Sequence, residues 1–385
     1  MIVPLMAAVA GTCGGKAGSL GVLLRGGLPV PDGFVVPYDV YRSAVRKPGG
    51  RDAIASRPLG PALTAALGDA LAGLGAAPVA VRSSASNEDT AESSAAGLHE
   101  SFLGMRGVDA VSRAVRACWG SLDSPRALGA VSGELAMAVL VQRLVDAEVS
   151  GVMFTGEVTR IEASWGLGPS VVGGLVTPDA YEVGGDGRVS RTVADKRTRL
   201  DRYGGRLVER DVPVDMRSAA ALDDVTAIRL AGLGRRIATV FGGPQDIEWA
   251  VADGRIWIVQ ARPVTAALPL FSGAPTGAPT GALAGTPGSR GTATGAARIV
   301  RGPADFARVR PGDILVCPFT DPAWTPLLRV VAGVVTETGG VLSHAAIVAR
   351  EQSIPAILGI RDATRDIHDG ALITIDGSTG LVTIP

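Results

Sequence analysis

The chain has 385 residues, enough for two or three domains that each bury a core. Its 37 basic and 37 acidic residues cancel, so no overall field draws it to nucleic acid or to an anionic membrane. Lysine occurs only at Lys16, Lys47 and Lys196, and the scattered Cys13, Cys118 and Cys317 offer neither a disulfide framework nor zinc-ligand spacing.

The apolar start, Met1 to Ala10, lacks a basic leader region and is too short to span a bilayer, so a cytoplasmic, soluble protein is expected. A lysine then sits in a glycine turn, GTCGGKAGSLGVLLRGG, ahead of a helix-like stretch Lys16–Arg25. The spacing is not that of a Walker A loop, and taken alone Gly14-Gly15-Lys16 reads equally as an ordinary turn. Further helices are expected at Pro61–Leu74, Val108–Trp119 and Val225–Phe241, and strands at Val79–Arg82, Ala138–Leu144, Gly151–Thr155 and Asp246–Val251. Arg82 ends an apolar strand and precedes a hydroxyl-rich loop, VRSSASNEDTAESSAAGLHESFLG. Such a loop holds phosphate through charge and backbone N–H groups, or is simply solvated.

PQDIEWAVADGRIWIVQARPV reads as a β-hairpin turning at Asp253-Gly254. Alternation puts Asp246 and Glu248 on one face of the first strand, and Gln260 and Arg262 on one face of the second. A two-residue turn opposes Glu248 to Val259 and sends Gln260 away. A three-residue turn with Gly254 left-handed pairs Glu248 with Ile258 and Asp246 with Gln260. The second is predicted, because it gathers two carboxylates, an amide and a guanidinium on one surface. Oxygen ligands of that kind hold Mg²⁺ with ATP phosphates, and arginine neutralises charge during transfer; the alternative is a salt-bridged sheet surface.

Residues 264–285, with TAALPLFSGAPTGAPTGALAG, carry no charge and repeat GAPT, the composition of a flexible linker. Such a tether spans about 25 Å as a coil and far more when stretched. A unit over 286–385 follows, with strands expected at Gly295–Val300, Ile314–Val316, Gly333–Thr336, Ala371–Ile375 and Leu381–Ile384. Its helices are expected near Pro322–Val331 and His344–Glu351. Of three histidines, His368 reads as surface and His99 sits in a loop-like region without a partner. His344 differs: GVVTETGGVLSHAAIVARE reads as strand, glycine turn, Ser343 as N-cap, and His344 in the first turn of a helix. Free N–H groups there suit a phosphate carried on the ring, and the helix field keeps the imidazole neutral. Gly339 and Gly340 allow backbone amides to approach an anion. By itself the segment also fits a satisfied histidine at a helix start.

TETGGVLSHAAIVAREQSIPAILG, with DILVCPFTDPAWTPLL before it, resembles the phosphohistidine signature of the phosphoenolpyruvate-utilising enzymes: pyruvate phosphate dikinase, phosphoenolpyruvate synthase and rifampicin phosphotransferase. GGK, VRSSA, GVMFT, ASWGLG, VTPDAY and PQDIEW…QARPVT occur in the order of that family's nucleotide-binding part. The resemblance implies an α/β and α+β architecture, with an ATP-grasp-like nucleotide-binding domain over 1–263 (two subdomains) and a swivelling β/α phosphohistidine domain over 286–385. It places the phosphorylated residue on His344, phosphate contacts on Lys16 and Arg82, and metal ligation on Glu248 with Gln260, Asp246 adding a third oxygen ligand. Transition-state charge falls to Arg262, the phosphate-covering loop to Gly97 and Ser101, and the border of adenine to Gln142, Leu144 and Val145. Thr338, Gly339, Gly340 and Ser343 are expected to support the phosphohistidine. Pro169 stands where the family often has Glu after GLG, and the stretch between Val45 and Pro78 looks abbreviated. The barrel or helical acceptor domain of the family is expected to be absent.

The expected activity is dikinase-type: ATP and Mg²⁺ phosphorylate His344, leaving AMP and phosphate, and the phosphate passes to a small-molecule acceptor bound here or held by a partner protein. The competing readings are a phosphocarrier or regulatory subunit that hands phosphate to a partner, and an ATP-grasp ligase releasing ADP.

Overall fold

The structure, a computed structural model, describes residues 2–51, 53–86, 101–122, 135–203, 205–265, 268 and 281–384. Two large antiparallel sheets precede residue 264, together with a two-stranded antiparallel ribbon, Thr198–Tyr203 with Arg206–Asp211. The first has the spatial order Val3–Pro4, Gly33–Val36, Met137–Arg143, Val79–Ala85, Ser101–Met105; the second has Arg255–Pro263, Gln245–Ala252, Val149–Phe154, Thr159–Trp165, Asp179–Val183, Val189–Thr192. The central strands of both are apolar on both faces, as strands covered on two sides must be. One continuous core joins the sheets, and the helix Ala10–Arg25 packs on strands of each. A third sheet, of eight strands, spans Leu283 to Thr383, with Thr292–Ile299, Ile314–Cys317, Gly333–Thr336 and Ala356–Leu358 running parallel. This is the mixed α/β architecture expected, and most expected helices and strands in the described residues are present near their expected ends. The first helix already starts at Ala10 and is kinked at Gly14, and Pro322–Val331 is a 3-10 turn (Pro322–Trp324) followed by a short helix (Thr325–Leu328).

Three further details depart from expectation. Residues 101–105 form a strand rather than a loop, with Ser101 opposite Arg82. Within the expected linker, residues 266–267 and 269–280 lie outside the described residues. The tail of that linker is structured: Leu283–Ala284 pairs with Leu381–Thr383 as an edge strand. The hairpin turn also has two residues, not three. Asp253 (φ 50°) and Gly254 (φ 67°) are both left-handed, as a type I′ turn requires, and Ala252 faces Arg255. That register alone would put Val259 opposite Glu248. A β-bulge between Glu248 and Trp249 absorbs Val259 and shifts the ladder by one, so that Glu248 faces Gln260 and Asp246 faces Arg262. The polar residues share a face as predicted, by a different route and in different pairs.

All three cysteines are free and buried, and no described helix is long and apolar enough to cross a membrane. Of the three lysines, Lys196 is fully buried in an ion pair with Asp179 of the VTPDAY segment, Nζ to Oδ1 2.6 Å. Asp179 also accepts from the amides of Ala194 and Ala221, both at 2.8 Å, so this buried carboxylate is well satisfied.

The glycine turn and the VRSSA strand lock together. Gly14 has φ 83°, and a Cβ there would overlap the Ser84 carbonyl and hydroxyl. The Ala17 amide donates to Ser84 Oγ (3.2 Å), and Lys16 Nζ donates to the Ser83 carbonyl (3.2 Å). Gly14→Ala is therefore expected to lower unfolding stability by about 1–3 kcal/mol in urea titration, from the left-handed backbone and the lost contact. Gly11→Ala, which meets open space in the short turn ahead of the kink at Gly14, should leave stability unchanged or slightly raised.

Candidate active site

A cavity of about 570 Å³ opens between the two antiparallel sheets and the third. Ten of the residues singled out from sequence line it: Lys16, Arg82, Ser101, Gln142, Leu144, Val145, Glu248, Gln260, Arg262 and His344. Residues from before the linker and the histidine from beyond it thus share one chamber. Its apolar lining includes Leu103, Leu144, Val145, Leu167 and Ala250, and Gln142, also lining it, donates Nε2 to the Pro31 carbonyl at 3.1 Å. Gly97 lies outside the described residues.

The hairpin bulge organises the polar lining. Its extra residue offers the Val259 carbonyl to Arg82 Nη1 at 2.7 Å, while Arg82 Nη2 donates to Gln260 Oε1 and lies 3.5 Å from Glu248 Oε2. Arg262 is gripped by Asp246, with Nε at 2.8 Å and Nη2 at 2.7 Å from Oδ2. Burial pushes the Asp246 carboxyl up, and the arginine's charge pulls it back. Asp246 does not line the cavity. Expected as a metal ligand, it here gives Oδ2 to Arg262 and holds that guanidinium beside the chamber. Glu248 and Gln260, side by side across the strands and facing the cavity, remain an oxygen pair of the kind that binds Mg²⁺ together with phosphates. No group of three acidic, histidine or cysteine side chains able to hold a metal exists among the described residues, so phosphate oxygens would have to complete that shell.

His344 opens the helix His344–Glu351 and is buried. Its ring lies between two hydroxyls, Thr320 Oγ1 3.1 Å from Nδ1 and Thr325 Oγ1 3.3 Å from Nε2. Both come from the TDPAWTP turn, where Asp321 caps the Pro322–Trp324 turn by accepting from the Ala323 amide at 2.6 Å and so sets the threonines on either side of the ring. Burial, and then the charge of Arg262, depress the imidazole from 6.5 to about 4. Burial is the larger of the two causes, and both act to keep the ring neutral.

The four residues expected to support the phosphohistidine lie in the turn that leads into the helix and make these contacts. Ser343 occupies the N-cap position, yet its hydroxyl makes no capping bond and is buried without a partner. Thr338 Oγ1 donates to the carbonyls of Gly174 (2.6 Å) and Pro318 (3.1 Å). Gly339, at φ 109°, packs near Gly174, and Gly340 lies against the carboxylate of Glu162. None of the four lines the cavity. Thr320, Thr325 and Glu162 were missed. The threonines carry no signal tying them to a histidine some twenty residues later. Glu162 carries none either: its strand reads TRIEASW, with Arg160 and Ser164 as other polar members, so its burial is not marked locally.

The depressed imidazole has a definite sign. The neutral ring favours the arrangement seen here above pH 6.5, and that contribution is lost as pH falls through about 4. Nitrogen-15 NMR of the ring is expected to show a neutral imidazole at pH 5.5 in the intact protein. Arg262→Gln should move the midpoint upward, and an unshifted midpoint would remove Arg262 as a cause.

The family described as pyruvate phosphate dikinase, AMP/ATP-binding domain, matches residues 45–269, and the PEP-utilising enzyme, mobile domain, matches residues 309–380. The chain is 35% identical to the probable phosphoenolpyruvate synthase of Methanothermobacter thermautotrophicus, over 97% of this chain and 61% of that protein. It is 36% identical to the one of Archaeoglobus fulgidus (96% and 56%) and 35% identical to the phosphoenolpyruvate synthase of Aeropyrum pernix (96% and 56%). The chain thus spans just over half the length of these curated relatives. With the first match running through the cavity's hairpin and the second through the helix of His344, the chain belongs to the phosphoenolpyruvate-utilising enzyme family.

Proposed function

We propose that this protein is a dikinase-type phosphotransferase: it phosphorylates His344 from ATP and passes that phosphate to a small-molecule acceptor. The observation that carries the reading is the chamber itself, where a neutral imidazole faces a cluster of Lys16, Arg82 and Arg262 beside paired oxygen ligands. A neutral ring has the free electron pair that attacks phosphorus, whereas an imidazolium has none. Phosphoryl transfer needs positioning and charge neutralisation above all, and three fixed cations supply both.

In this reading the adenine lies against the apolar lining by Gln142, Leu144 and Val145. The phosphates run toward Lys16, Arg82 and Ser101, and Arg262 meets the charge that develops next to His344. Glu248 and Gln260 would hold Mg²⁺, which neutralises phosphate oxygens when bound. ATP and water then yield AMP, one free phosphate and one phosphate on the ring, the stoichiometry that the likeness to dikinases supports. The acceptor is bound at a cleft of this chain or held by a partner protein after the domain over 286–385 swings away on the 264–285 tether. A cytoplasmic location suits such chemistry.

The test is incubation with Mg²⁺ and ATP labelled on the β-phosphate. Wild type is expected to form AMP and an acid-labile label on the protein, and His344→Ala to lose the label, with turnover falling by at least about a thousandfold. ADP as the only nucleotide product would overturn the reading in favour of a ligase. A label that stays on His344 until a second protein is added would make the chain a carrier.

A further inference from the structure

The turn before His344 is seated on the first half of the chain by an apolar patch, by the Thr338 Oγ1 bond to the Gly174 carbonyl (2.6 Å) and by one buried carboxylate. Leu342 and Ile347 join Val152, Phe154, Val171 and Val176 in an apolar patch. Inside that contact lies one carboxylate. Glu162, 3% exposed in the middle of the Thr159–Trp165 strand, accepts from the Leu342 amide at 3.2 Å. Arg350 places its charge beneath the same turn, donating Nη1 to the Val341 carbonyl at 2.8 Å and the Gly288 carbonyl at 2.9 Å. Gly340 has no left-handed backbone to explain it, yet a Cβ there would overlap all three atoms of the Glu162 carboxyl group. Its glycine identity is thus explained by the carboxylate and not by φ.

We infer that Glu162 is the positioning residue that sets the register in which the His344 turn docks at the ATP chamber, with Gly340 as its receiving surface; this rests on the function proposed above. Apolar contact is non-directional and would tolerate a slid or rotated turn. A buried carboxylate would not, because any other register leaves it desolvated and unpaired. The patch therefore supplies adhesion, and Glu162, beside the Thr338–Gly174 bond, supplies specificity from the buried side of the turn. Glu162 does not line the chamber, so ATP affinity should not depend on it.

The prediction is a pattern across variants. With spin labels at the exposed positions Val225 and Leu372, one in each half, wild type should give a narrow interspin distance. E162A should broaden it and slow β-phosphate labelling of His344 about five-fold at unchanged half-saturating ATP. G340A should do more, because its methyl group collides with the carboxylate, and the double variant should return to the level of E162A alone. Such non-additivity marks direct coupling. E162Q, which keeps an oxygen acceptor for Leu342, should rescue labelling to within about two-fold of wild type. The inference is overturned if E162A leaves both readouts unchanged, or if G340A is equally defective with and without Glu162. Thermal unfolding of each variant separates lost docking from lost fold. If wild type takes no label on His344, the functional reading fails, while the distances still judge the docking.

Discussion

One surplus residue in a hairpin governs the polar half of this chamber. A tight two-residue turn starts the ladder in a register that would point Gln260 and Arg262 away from Glu248 and Asp246. Because side chains alternate with a period of two, a shift of one position reverses the face of everything beyond it. The bulge at Val259 makes that shift, and the carbonyl it displaces becomes an acceptor for Arg82. Four polar groups then face one way, and the arginine of the VRSSA strand is tied to their backbone.

Within the chamber the charges are held before any ligand arrives. Arg262 is fixed by Asp246 behind it, Arg82 by Gln260 and Val259, and Lys16 by the Ser83 carbonyl. Side chains already in place need little reorganisation when charge appears on a phosphate, which is where electrostatic stabilisation gains its strength. The same burial that fixes these cations keeps His344 neutral, so under the proposed function the surroundings that attract a phosphate also keep the ring nucleophilic. Two hydroxyls, one on each ring nitrogen, orient the ring without changing its charge.

The seat of the histidine-bearing turn follows a different logic. Burial pushes the Glu162 carboxyl up to about 7, against the pull of the Leu342 and Val341 amides and of Arg350. A group in that position adds little net attraction. The glycine pair 339–340 serves this seat: Gly339 turns the chain in the left-handed region and Gly340 leaves room for a carboxylate. An anion does approach these glycines, as their spacing suggested. It belongs to the protein.

What the sequence determined by itself is local or carried by recurrent motifs: the helices and strands, the glycine turn before Lys16, the hairpin with Asp253-Gly254 at its tip, and His344 at a helix start. Periodicity, turn chemistry and likeness to relatives all act within short windows, and those features live there. Only the tertiary structure decided which faces meet. A bulge of one residue leaves no mark on an alternating pattern, so the pairing of Asp246 with Arg262 was out of reach. So were Thr320 and Thr325, whose hydroxyls become ring partners through the parallel sheet that lays their turn beside His344, and Glu162, whose amide partner lies 180 residues away. Contacts at that separation are set by how whole sheets pack, a constraint that no local run of residues contains.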